Sequence, residues 1–258
     1  MTSAMLESRI SFGNIHFVTS RPHSFGLVID GIEMDGAVNT AEDYLHKLLL
    51  SPEHRDAFLG LIEAEGLVIC KNVRSDSPSY RKVRGKSSTA KLSQAEYYHH
   101  DGCSSPTKPR VVEIRFPHQD VARDVATAIA PFPSVIRAML MALPEHMMND
   151  DDLVAFRDSF SESVANYPST ETWDHIQGKV TRMVRKEMGA EACRTYFRAV
   201  DQMACAYVKP WEMGESRLML NGHQDLTRTF QHRRAYQRPR EALEQNGSLV
   251  KRWTAEEA

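Results

Sequence analysis

Apolar and polar positions alternate in short bursts near the start of the chain. ISFGNIHFV (10–18) and FGLVIDGI (25–32) therefore read as strands joined by turns. The period then lengthens. Leu45, Leu48 and Leu49 recur at helical spacing behind a capping-type start at Thr40 and Asp43, Ser51-Pro52 breaks the run, and a second helix carries Phe58, Leu61 and Ile62 on one side. Gly66 closes that helix, and GLVICKNV follows as a buried strand. From Arg74 to Gln94 the chain is polar, basic and poor in apolar residues, which predicts a long loop. EYYHHDG reads as a strand end running into a turn, and RVVEIRFP as a clear strand. DVARDVATAIAPFPSVIRAMLMALP gives a short strand or turn and then a helix bearing Val135, Ala138, Met139 and Leu143. Residues 145–188 are helical and charged, an insertion over one face. YFRAVDQMACAYVKP returns to strand-like character, GESRLMLNGHQDLTRTFQHRRAY is a strand, a turn and a strand, and SLVKRW supplies a last strand.

This order lacks the regular β-α alternation of a Rossmann fold, and neither G-x-G-x-x-G nor G-x-x-x-x-G-K-S/T occurs in it. Many separated strands, early helices and a helical insertion predict an α+β protein built round a double-sheet barrel. Composition changes this little. The 258 residues are 41% hydrophobic and 26% charged with a net charge of -2, which excludes a general affinity for nucleic acid or an anionic membrane. Four widely spaced cysteines, Cys70, Cys103, Cys193 and Cys205, read as reduced thiols. With neither a signal-peptide pattern nor an apolar run of membrane length, the expectation is a cytoplasmic protein.

The candidate chemistry sits in EYYHHDG. On a strand, His99 and Asp101 point one way and His100 the other. A histidine and a carboxylate at a strand exit are either two arms of a metal site or a plain hydrogen-bonded pair. A 2-His-1-carboxylate triad, which holds Fe(II) on one face and leaves the other open, needs a second histidine. His118 is too close, and His146 and His175 fall in the insertion. His223 and His232 lie where a returning barrel strand would run, and His232, between aromatic residues in FQHRRAY, is favoured over the turn-like His223.

Taken in order, GLVICKNV, YHHDG, RDVATAIA, WEMGESRLMLN, QHRRAY and LVKRW resemble the Fe(II)/2-oxoglutarate-dependent oxygenases of the taurine dioxygenase and clavaminate synthase-like superfamily. The resemblance covers most of the chain. It implies a double-stranded β-helix, a cupin-like jelly roll with flanking helices, as a single domain over 1–258 with its helical insertion at roughly 145–190. It implies His99, Asp101 and His232 as iron ligands, Thr127 as a hydrogen-bond donor to 2-oxoglutarate, and Arg252 as the grip on its distal carboxylate. Two spacings depart from the family pattern. GHQDLTRTF separates Asn221 from His232, which leaves His223 open as the ligand, and an extra turn before Arg252 leaves Arg234, Arg238 and Arg240 as rivals. The reaction implied is oxygen-dependent decarboxylation of 2-oxoglutarate coupled to hydroxylation or a related C–H oxidation. The carboxylate ligand argues against a halogenase.

The expected substrate is small and polar, amino-acid-like or a natural product of biosynthesis. The basic stretches RKVRGKSSTAK and HRRAYQRPR also suit an anionic one. Tyr97 and Tyr98 read as strand residues, with Tyr98 also a candidate pocket wall. No nucleic-acid or membrane partner is expected, and assembly into a homo-oligomer is left open. Two alternatives stand at this stage. One is a cupin-like zinc hydrolase or isomerase, and the other an inactive barrel used as a binding protein.

Overall fold

The computed structural model describes residues 8–12, 15–21, 23–34, 37–39, 52–71, 81–82, 97–101, 109–115, 125–148, 151, 154, 170–212, 214–222, 225–236 and 249–253. Twelve strands occur among them: β1 (Ser8–Phe12), β2 (Ile15–Ser20), β3 (Leu27–Met34), β4 (Ala37–Asn39), β5 (Leu67–Cys70), β6 (Arg81–Lys82), β7 (Val111–Arg115), β8 (Val125–Pro131), β9 (Tyr207–Pro210), β10 (Ser216–Leu220), β11 (Phe230–Tyr236) and β12 (Leu249–Trp253). The helices are α1 (Pro52–Glu65), α2 (Phe132–Met141), α3 (Thr170–Glu187) and α4 (Ala190–Met203), with 3-10 turns at Glu145–Met147 and Leu226–Arg228.

The strands form two sheets. The larger runs β1-β2-β3-β5-β10-β7-β12-β6, with β4 beside β3, and its β3–β5 pair is parallel. The smaller runs β11-β8-β9, and an isolated antiparallel bridge between His99 and His232 adds the segment 97–101 to its β11 edge. The result is a mixed α and β protein, as expected.

Strand alternation divides the core into three layers. Between the sheets lie Leu67, Ile69, Val112, Ile114 and Met219 from the larger sheet, facing Ile129, Tyr207 and Phe230 from the smaller. The outer face of the larger sheet packs Val68, Val111 and Leu218 against Phe58, Leu59, Leu61 and Ile62 of α1. The outer face of the smaller sheet gives Tyr98, Ala128 and Ala130 to α2, α3 and α4.

Gly66 is needed where α1 turns into β5. Its φ of +73° lies in the left-handed region, and a Cβ there would lie 2.0 Å from a ring carbon of Phe230. The strand-like reading of YFRAVDQMACAYVKP is corrected. Most of that stretch is α4, and β9 begins only at Tyr207. Aromatic and β-branched residues favour a strand locally, but Cys193, Tyr196, Phe197 and Val200 recur at i, i+3, i+4 and i+7, and all four are buried on one helical face. The predicted helix at 40–50 and most of the predicted loop at 74–94 lie outside the described residues. No described helix is long and apolar enough to cross a membrane, and Cys70, Cys193 and Cys205 are free thiols.

Candidate metal centre

The smaller sheet brings distant residues together at its edge. His99 and His232 are cross-strand partners, with His99 N–H donating to the His232 carbonyl at 3.1 Å and His232 N–H to the His99 carbonyl at 3.3 Å. Directly opposed residues of an antiparallel pair share a face, and the two imidazole centroids lie 4.5 Å apart. Asp101 follows in the turn. Its backbone is clamped by the fully buried Asn221, which stands just past β10. Asp101 N–H donates to Asn221 Oδ1 at 2.7 Å, and Asn221 Nδ2 donates to the carbonyls of Asp101 at 3.0 Å and Pro109 at 2.9 Å.

One ligand atom from each of His99, Asp101 and His232 falls within 4.8 Å of the others. His99 Nε2 stands 3.7 Å from Asp101 Oδ1, too far for the plain hydrogen-bonded pair. The other ring nitrogen explains the arrangement. His99 Nδ1 is 2.9 Å from the Tyr97 carbonyl, which can only accept, so Nδ1 donates there and Nε2, on the Asp101 side, is the nitrogen left to bind a metal. Two imidazoles and a carboxylate converging this way fit a divalent metal such as iron or zinc.

The opposite face of the same strands is polar and buried. Tyr98 donates from its hydroxyl to Asp201 of α4 at 2.8 Å, and Arg233 donates through Nε to the same carboxylate oxygen at 2.7 Å and through a second nitrogen to the other oxygen. Burial, reinforced by the Asp201 charge, pushes the Tyr98 hydroxyl well above its ordinary pKa. Burial opposes the charged form of Arg233, but the hydrogen bond and charge of Asp201 outweigh it and hold the guanidinium above its usual value. Beside this cluster, His100 meets Thr229 at 3.1 Å and Gln231 at 3.2 Å, and Gln231 pairs with Gln177 of α3. Tyr98 thus serves the helical layer rather than walling the site, because it alternates with His99. Tyr97 is the tyrosine on the metal face, its ring 5.9 Å from that of His99.

Thr127 lies on β8, one strand beyond His232, and is 2% exposed. Its hydroxyl accepts a 2.9 Å hydrogen bond from the Trp211 indole. An indole N–H can only donate, so the Thr127 hydrogen remains free to be donated elsewhere. Arg217 was not singled out by the sequence reading. It is fully buried, its guanidinium lies 4.0 Å from the Trp211 ring centroid, and it donates to Glu215 at 2.5 Å and to the Thr127 carbonyl at 3.3 Å. Nothing in the sequence marks Arg217 apart from an ordinary strand arginine.

Of the arginines considered for a cosubstrate, Arg234 stands opposite Thr127 on β11, and Arg252 stands opposite Val112 on β12. His223, Arg238 and Arg240 lie outside the described residues. His146 sits exposed on a 3-10 turn, and His175 lies on α3.

No family model matches the chain, and no curated protein matches it. Solved structures do. The chain is similar to PvcB, an iron and α-ketoglutarate dependent oxygenase from an isonitrile synthetic pathway, at 13% identity and a TM-score of 0.48, covering 96% of this chain and 94% of that one. It is also similar to asparagine oxygenase in complex with Fe(II), 3-hydroxyasparagine and succinate, at 11% identity and a TM-score of 0.41 over 81% and 82% of the two chains. A third similar structure is AAD-2 in complex with Mn(II) and N-oxalylglycine, at 11% identity and a TM-score of 0.46, covering 92% of this chain and 97% of that one.

Proposed function

We propose that this protein is an Fe(II)/2-oxoglutarate-dependent dioxygenase acting on a small polar, amino-acid-like or natural-product substrate. The observation that carries the reading is the convergence of His99, Asp101 and His232 from two chain segments far apart in sequence. Strand order supports it. Counted from β6, the eight successive segments β6, 97–101, β7, β8, β9, β10, β11 and β12 pair as 1-8-3-6 and 2-7-4-5. This is the wrapping of a double-stranded β-helix, a jelly roll whose two sheets face each other across the site. The whole chain, 1–258, is then one domain, with the segment at roughly 145–190 inserted on its helical side.

Each residue has a part. His99, Asp101 and His232 hold the iron. When bound, iron with 2-oxoglutarate and oxygen supplies the oxidative decarboxylation that drives C–H oxidation. The Tyr97 carbonyl keeps His99 in the tautomer that presents Nε2. Asn221 fixes the backbone that carries Asp101. Thr127, its hydroxyl already accepting from Trp211, donates its own hydrogen to a carboxylate of 2-oxoglutarate. Arg252 or Arg234 supplies the charge that pairs with that cosubstrate.

The test is the visible spectrum of anaerobic protein with Fe(II) and 2-oxoglutarate. A charge-transfer band is expected in the wild type, lost in His99→Ala and His232→Ala. A folded wild-type protein without the band refutes the reading and leaves a zinc enzyme or a binding protein. A band that survives His232→Ala and disappears in His223→Ala moves the third ligand.

A further inference from the structure

An arginine stands against the tyrosine of the metal face. Arg185 lies in the last turn of α3, within the inserted segment, and its guanidinium carbon sits 4.7 Å from the centroid of the Tyr97 ring. Tyr97 in turn meets His99 edge-on at 5.9 Å. The segment 97–101 forms the outer edge of the smaller sheet, so Arg185 of α3, a helix packed on that sheet, meets this edge at Tyr97, two residues before His99. The Arg185 Nε is buried and has no hydrogen-bond acceptor among the described residues. The neighbouring arginine offers a contrast, since Arg233 has both oxygens of Asp201.

A buried donor without an acceptor is costly. Stacking on Tyr97 holds the guanidinium plane but satisfies none of its N–H groups, because a ring face attracts the cation and leaves the in-plane donors unused. We infer that Arg185, seated on Tyr97, is the grip for a carboxylate of the substrate, so that the enzyme takes a small carboxylic acid whose reacting carbon lies between this grip and the metal. This rests on the function proposed above and names the substrate class for the same site. The guanidinium fork matches a carboxylate in two parallel hydrogen bonds. The cosubstrate has its own donor in Thr127, on the far side of β11 from Tyr97. The inserted helix thus acquires a task, which is to bring a specificity determinant to a sheet edge that the barrel strands leave open.

The experiment uses the full chain loaded with Fe(II) and 2-oxoglutarate without oxygen, and reads ligand binding by saturation-transfer NMR. The probes are matched pairs, each an L-amino acid and its carboxamide, with side chains from small to arginine-sized. At least one acid is expected to bind well ahead of its amide. Arg185→Gln is expected to weaken that acid by about 10- to 100-fold and to abolish its preference over the amide. Arg185→Lys should restore part of the preference. The charge-transfer band and its dependence on 2-oxoglutarate should stay within about twofold of wild type in both variants. Acid and amide binding equally to the wild type overturns the inference, as does an unchanged preference in Arg185→Gln. A variant that weakens 2-oxoglutarate instead makes Arg185 a cosubstrate anchor and also overturns it. Absence of the band in the wild type marks failure of the functional reading itself, a result separable from the others.

Discussion

Replacing Asn221 tests whether the metal centre depends on a residue that touches no metal. Its side chain is fully buried and makes three hydrogen bonds, one accepted from Asp101 N–H and two donated to the carbonyls of Asp101 and Pro109. Asn221→Ala removes all three and leaves three backbone groups to find other partners. At about 1 kcal/mol net for each bond, stability should fall by about 3 kcal/mol. The same change frees the turn that carries Asp101, and loss of such an outer support costs about 10- to 100-fold in metal affinity. Asn221→Asp separates the effects by donor polarity. It keeps the shape and can still accept from Asp101 N–H, but it sets carboxylate oxygens against two carbonyls that only accept. Urea unfolding of the metal-free protein gives the stability term, and titration with Mn(II) or Co(II) gives the affinity term. Both variants should be impaired in both measurements. A metal Kd within twofold of wild type in Asn221→Ala would refute the view that this clamp positions the ligand, even if stability falls as expected.

Two further outcomes follow from the packing. Asp201→Ala should destabilise by about 3–5 kcal/mol in denaturant unfolding, because it leaves the buried Arg233 charge uncompensated, whereas Asp201→Leu combined with Arg233→Met should recover much of that loss. A single variant within 1 kcal/mol of wild type would show that water or another group satisfies the arginine. Gly66→Ala should lower the melting temperature sharply or prevent folding, since the residue has φ +73° and the new Cβ meets Phe230, and Phe230→Ala in the same chain should relieve only the steric part.

Part of the geometry of the candidate site was legible because it depends on local rules. Alternation along EYYHHDG is enough to put His99 and Asp101 on one face and His100 on the other, and the buried His100 bears this out. The choice of His232 over His223 came from strand character; His232 is the cross-strand partner of His99, and His223 lies outside the described residues. The polar partners were not legible. Asp201 serves Tyr98 from 103 residues away, and Asn221 serves Asp101 from 120 away. Such pairs leave no periodic trace, because each side chain is chosen by a neighbour that only the completed fold supplies. Arg185 was hidden for the same reason, as one basic residue on a charged helix whose register against the sheet edge is a tertiary fact. The misreading of α4 has another origin. In YFRAVDQMACAYVKP the strand-favouring residues are also the helix's buried face, and a short window weighs residue type above spacing.

The polar layer behind the two histidine strands carries one more consequence. Most sheets lean on helices through apolar side chains, and such a contact slides by a fraction of an ångström at little cost. Here Tyr98 and Arg233 donate to the Asp201 carboxylate, which only accepts, Gln231 exchanges amide hydrogen bonds with Gln177, and His100 meets Gln231. A sideways step of either strand would leave these buried donors and acceptors without partners, so this backing works like the teeth of a key and admits one alignment. Substitutions that replace both partners of such a bond with apolar side chains are therefore expected to leave a protein that still folds while its two imidazoles drift out of phase.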